Sequence, residues 1–185
     1  MVRGLQFLAR MKTLALAACL LLSACSLPFD FNFDINVARD VPEQSIPGSP
    51  VAGPPAAMIA LPIQVAVGSE IAAMNSGSID SVTLGAMYLD ITATGEPSGD
   101  SDDWSFVDRV DLYVESTMNG TTLPRLKVAA AVAPGAVTHL EFLPEDVNLL
   151  PYIHEGCALS AAATGRVPAD EVSYDGKVTF RISPL

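Results

Sequence analysis

Short runs in which apolar and polar residues alternate recur along the chain, and a period of two is the mark of a strand buried on one face. The first run sets Phe29, Phe31, Phe33, Ile35 and Val37 against Asp30, Asn32, Asp34 and Asn36. Leu61, Ile63, Val65 and Val67 form another. Ser81 to Thr92 is rich in β-forming residues, with Val82 and Leu84 on one face and a slip of phase near Met87-Tyr88-Leu89 that predicts a bulge. Trp104, Phe106, Val110, Leu112 and Val114 make the next apolar row, opposite Arg109, Asp111, Tyr113 and Glu115. Leu126, Val128, Ala130 and Val132 follow, then Leu140 with Phe142, then Leu159, Ala161 and Ala163, and finally Val178, Phe180 and Ile182.

The residues between these runs are breakers. Asn119-Gly120 and Pro134-Gly135 are tight-turn signals. Ser69 to Met74 reads as one helical turn, and Asp146 to Leu150 as an irregular or short helical corner ended by Pro151. Pro42, Pro47, Pro50, Pro54, Pro55 and Pro62 fall in one stretch, which cannot pair in a central sheet because proline lacks the amide donor. About eight short strands with such turns, and no long helical pattern after residue 24, predict an all-β fold. The specific expectation is a two-sheet antiparallel sandwich, immunoglobulin-like, although no cysteine pair flanks Trp104 as in antibody domains. A polar turn, the Ser81-Val82-Thr83-Leu84 strand and a C-terminal strand pair together resemble late-embryogenesis-abundant type 2 domains over about half of the chain, without a diagnostic motif. The expected organisation is a leader over 1–24, an N-terminus with the first strand over 25–41, a Pro/Gly-rich crossing or linker over 42–60, and the β-sandwich body over 61–185.

The leader has its own pattern. Arg10 and Lys12 precede an apolar run from Leu14 to Leu22, and the small residues Ser23 and Ala24 precede Cys25. A cationic start, a short apolar middle and small residues before the cut are the parts of a secretory signal. The run is too short for a membrane span, which needs about 20 apolar residues. Met11-Lys12-Thr13 would itself serve as a start. Leu16-Ala17-Ala18-Cys19 competes as a cleavage site but leaves too little apolar chain after Lys12. Leu22-Ser23-Ala24-Cys25 resembles the lipobox of bacterial lipoproteins. That resemblance implies cleavage between Ala24 and Cys25 and a lipidated Cys25, bearing a diacylglyceryl thioether and an amide-linked acyl chain. One acyl chain holds a protein reversibly, at about 0.8 kcal/mol per buried methylene, and three hold it durably. Ser26 rather than Asp follows, which in enterobacterial lipoproteins goes with the outer membrane, so the expected location is the outer membrane, facing the periplasm.

Charge narrows the partners. All 21 acidic residues lie after Ala24, while Arg3, Arg10 and Lys12 leave with the leader, so the mature chain has a net charge of −14. Nucleic acid is excluded as a partner, since binding it requires clustered Lys and Arg. Anionic headgroups would also repel this body, so the membrane is a partner only through the lipid anchor. With Cys19 discarded and Cys25 lipidated, Cys157 is left single, and its place between Gly156 and Ala158 suits a small buried hydrophobe. No internal disulfide is available, so packing must hold the fold.

Candidate chemistry is sparse. Asp100, Asp102 and Asp103, with Asp108 beyond, are the best candidate for a calcium site, yet Trp104 and Ser105 occupy positions where an EF-hand loop needs a ligand and a glycine. A solvated loop explains them more simply. The oxygens of Asp30, Asn32, Asp34 and Asn36 are spaced too widely along a strand for one ion. His154 with Cys157 would give zinc two ligands where three or four are needed. A working carboxylate pair, for instance Glu141 with Glu145, does not follow without geometry, and Glu145 with Asp146 after Pro144 reads more simply as a turn or helix start. There is no Gly-x-Ser-x-Gly elbow, phosphate loop or dinucleotide fingerprint. No catalytic group, metal or cofactor is implied. The expectation is a non-enzymatic, membrane-anchored module that contacts an envelope protein through the loops Gly95–Asp103 and Asp146–Glu155. The alternative is a carrier of a lipid or other apolar ligand, suggested by the small residues of Ala129–Val132 and Ala158–Ala163.

Overall fold

A computed structural model describes residues 34–49, 57–59, 61, 63, 79–94 and 101–184. The lipobox, Phe29 to Phe33, Val65, Val67, the Ser69–Met74 turn and residues 95–100 lie outside the described residues.

Eight strands form one antiparallel sheet: β1 (Ile35–Ile46), β2 (Ala57–Ile59), β3 (Ile79–Thr92), β4 (Val107–Ser116), β5 (Leu126–Val132), β6 (His139–Pro144), β7 (Cys157–Gly165) and β8 (Val172–Pro184). Their order is β1-β8-β3-β6-β5-β4-β7-β2. The all-β, antiparallel expectation holds. Where two separate sheets were expected, the pairing is continuous, because β6 serves both halves. Met87–Asp90 of β3 pair with the first part of β6, and its last residues, Leu143 and Pro144, pair with Ala130 and Ala129 of β5. The sheet curls about one core, in which Trp104, Phe142, Tyr174 and Phe180 are nearly inaccessible. Trp104 meets Tyr174 edge-on at 5.6 Å between ring centroids and stacks on Phe106 at 5.8 Å. These contacts join the β4 half of the sheet to the β8 half.

Among the described residues between Pro42 and Pro62, strand is found at the two edges of the sheet, β1 and β2, where missing amide donors are tolerated. β1 runs through Pro42 to Ile46, past the boundary expected at Val41. The register slips between Val41 and Gln44, so Pro42 and Glu43 sit at a bulge where no ladder amide is needed. The bulge also changes the buried phase from Val37 and Val41 to Ile46.

Two further bulges correct the expected phases. In β3 the extra residue is Gly85, before the expected Met87–Leu89, and the buried set becomes Val82, Leu84, Met87 and Leu89. A Cβ at Gly85 would lie 3.3 Å from the Thr179 carbonyl oxygen. In β5 the register with β4 slips at Val128, so Val128, Ala129 and Ala131 are buried while Val132 is exposed. Trp104 and Phe106 belong to a 3-10 turn leading into β4 rather than to the strand. The single described α-helix, α1, spans Leu150–Glu155. Pro151 lies in its first turn and begins it rather than ending the corner, since the first helical amides need no partner.

Candidate functional site

Of the two expected contact loops, the described part of the first, 101–103, and the Asp146–Glu155 corner lie at opposite ends of β4. Val107, at the start of β4, pairs with Gly165, and Ser116, at its end, pairs with Cys157 beside α1. Asp103 therefore sits at one end of β4 and the Asp146–Glu155 corner at the other, about 30 Å away along the strand. The corner end also holds the start of β1, where Ile35 pairs with Ile182, and the start of β3.

The Asp146–Glu155 corner is tightly fastened. Asn148 Oδ1 accepts the Val82 amide at 3.2 Å and the Leu150 amide at 3.0 Å, and the Leu149 amide donates to the Val82 carbonyl at 2.7 Å. The Tyr152 hydroxyl donates to the Pro124 carbonyl at 2.6 Å. Glu155 accepts from the Ser116 and Thr121 hydroxyls at 2.7 and 2.5 Å, and these hydrogen bonds hold its carboxyl below the ordinary glutamate value. This corner is part of the scaffold. Asn148 was missed by pattern reading, although an Asn two residues before a helix start is a known local capping signal.

Asp100, like Ala24 and Cys25, lies outside the described residues. Asp103 Oδ1 accepts the Ser105 amide at 2.8 Å and caps the 3-10 turn, and hydrogen bonding to the Ser105 side chain, then to this amide, lowers its carboxyl pKa. Asp102 lies beside it, half-buried. No group of three or more His, Cys, Asp or Glu is placed to hold a metal among the described residues. His154 is exposed on α1, whereas Cys157 packs against the core, where desolvation raises its thiol to about 11. Glu141 and Glu145 have different neighbours. Glu145 is bound to Lys127 at 2.7 Å, and Glu141 stands opposite Tyr88 on β3.

The outer face of β4 and β5 carries a charge network. Arg109 donates twice to Asp111, each bond 2.7 Å, and Lys127 approaches the same carboxylate at 3.8 Å. Arg125 lies 3.7 Å over the Tyr113 ring. Across the sheet, His139 and Asp90 are 2.6 Å apart beside Tyr88. Where β6 leaves β3, an open groove of about 320 Å³ is lined by Thr83, Leu84, Gly85, Pro144, Glu145, Asp146 and Arg181. Two of its charged groups are paired, Glu145 with Lys127 and Arg181 with Asp34 at 3.9 Å. None of these arrangements aligns a nucleophile with a base. The small residues Ala129, Ala131 and Ala163 share one core cluster with Trp104, Phe142 and Phe180.

No protein-family model matches the chain, and no curated protein matches it. Among solved structures it is similar to a decameric BFDV capsid protein, with 11% identity and a TM-score of 0.41 over 83% of this chain and 99% of that one. No conclusion about function follows from a likeness of that extent.

Proposed function

We propose that this protein is a lipid-anchored module of the bacterial envelope, without catalysis of its own, that binds another envelope protein. The observation that carries the reading is Leu22-Ser23-Ala24-Cys25 at the end of a short apolar run. The mature charge supports it, because so acidic a body needs a lipid to remain at a membrane. The body acts as a two-layer, immunoglobulin-like sandwich, with β1-β8-β3-β6 facing β5-β4-β7-β2 and β6 turning the corner. Cys25 is ten residues before Ile35, a reach of roughly 35 Å at most. The end holding the start of β1 and α1 then faces the bilayer, and the opposite end faces outward. Ser26 after the anchor favours the outer membrane, periplasmic side.

Intact-mass measurement and fractionation of wild type and Cys25→Ser test the anchor. Wild type should appear in the membrane fraction as residues 25–185 plus lipid. The variant should keep its leader and lose the lipid mass. A variant that stays membrane-bound with the same mature mass as wild type, neither form carrying lipid, overturns the reading.

A further inference from the structure

We infer that the loop between β5 and β6, Val132 to Thr138, is a preformed docking tip for a protein partner with an apolar pocket rimmed by Lys or Arg. The inference rests on the interaction-module reading but does not require the lipid anchor. The tip is apolar and open to solvent: Val132 is 61% and Val137 41% exposed, and Ala133 and Ala136 are exposed beside them. A flexible apolar loop would need no explanation, but this one is held in place from three sides. The Ala133 amide donates to the Asp108 carbonyl at 2.8 Å, the Trp104 amide to the Val137 carbonyl at 2.9 Å, and the Ile91 amide to the Thr138 carbonyl at 2.9 Å. The Trp104 indole N–H also donates to the Thr138 carbonyl, at 3.2 Å. Preordering removes the loop-ordering part of the entropy cost of docking.

Ala133 has φ +45°, in the left-handed region, and is the only described non-glycine residue with positive φ. An alanine there is strained, and such strain gathers at functional sites. Pro134 follows Ala133 and adds to the restriction.

The surroundings select the occupant. The same hydrogen bonds that hold the tip bring the exposed Asp108 beside it and Asp103, the residue before Trp104, close by. Asp90 lies on the third side, against His139. Arg109 stands across the strands from Val132, but its guanidinium is held in a two-bond pair with Asp111, and Arg166 donates to the Ser105 carbonyl at 3.2 Å. An anionic membrane would be repelled, and so would the same acidic tip of a second copy. A cationic rim around an apolar pocket matches both features.

A photo-crosslinking residue at position 137 in the full-length protein, in intact cells, tests this, with position 58 on β2 as control, since Met58 is 75% exposed on the edge strand. Position 137 should give one discrete adduct absent at 58, and sequencing of the crosslinked peptide should place it in an apolar pocket flanked by Lys or Arg. Asp108→Lys, and Asp103→Asn, which keeps the capping oxygen, should cut the adduct about tenfold and about threefold at unchanged melting temperature. A Lys→Glu change in the partner's rim should restore the adduct to Asp108→Lys. Adducts to phospholipid, to a second copy, to the same species from position 58, or none at all, overturn the inference. If Cys25→Ser loses the membrane but keeps the adduct, the anchor and the tip are separable.

Discussion

Asn148 stands in for a strand that Val82 lacks. Its side-chain oxygen accepts the Val82 amide at 3.2 Å while the next residue, Leu149, donates to the Val82 carbonyl at 2.7 Å. β6 has by then turned away toward β5, so β3 would otherwise end with its edge open. Asn148→Ala leaves the amide of a fully buried residue without its acceptor, which should cost about 1–3 kcal/mol in urea unfolding. Asn148→Asp keeps the acceptor and should cost less. Equal stability of Asn148→Ala and wild type would show that the side chain does not support the edge.

Glu155 ties α1 to the loop after β4. Its carboxyl is held below the ordinary value of 4.5 by the Thr121 and Ser116 hydroxyls, so the folded state favours the ionised form. The stability this contributes is present above pH 4.5 and disappears as pH falls through the lower, folded value. The gap in melting temperature between wild type and Glu155→Gln should therefore close on acidification. A gap independent of pH would assign the effect to packing.

Cys157 should be inert when folded. Burial lifts its thiol from 9.0 to about 11, and the neutral form is the one the fold favours. Thiol reagents at pH 8 should label it only after denaturation. The sign of the linkage follows: stability is retained below pH 9.0 and declines as pH rises toward 11. Rapid labelling of native protein would contradict the burial.

Trp104, the only tryptophan, is fully buried against Tyr174 and Phe106. Its fluorescence should be blue-shifted in the native protein and move to longer wavelength on unfolding. Trp104→Ala should cost about 3–5 kcal/mol, since a large cavity would open where the two halves of the sheet meet.

Gly176 on β8 meets Tyr88 of β3 so closely that an added Cβ would stand 2.2 Å from the Tyr88 carbonyl oxygen. Gly176→Ala forces the two strands apart and should destabilise by about 3 kcal/mol or more, or prevent folding. A soluble variant with native melting behaviour would rule out that close approach.

Local alternation already identified the all-β class, the strands of β8 and β4, and the burial of Val110, Leu112, Phe180 and Ile182, because a side chain's face follows directly from its parity along a strand. Turn chemistry was equally legible at Gly120 and Gly135, both at positive φ. A bulge in β3 was legible as a slip of phase, but its position at Gly85, like the bulge at Val128, was not, since each depends on the register of a partner strand distant in sequence. Nor could any local pattern reveal that β6 divides its hydrogen bonds between β3 and β5, that the Asp103 and Asp146 loops point to opposite ends, or that Val132 faces solvent. Those outcomes follow from which strands close upon which, a balance of long-range burial against chain entropy that only the assembled sheet resolves.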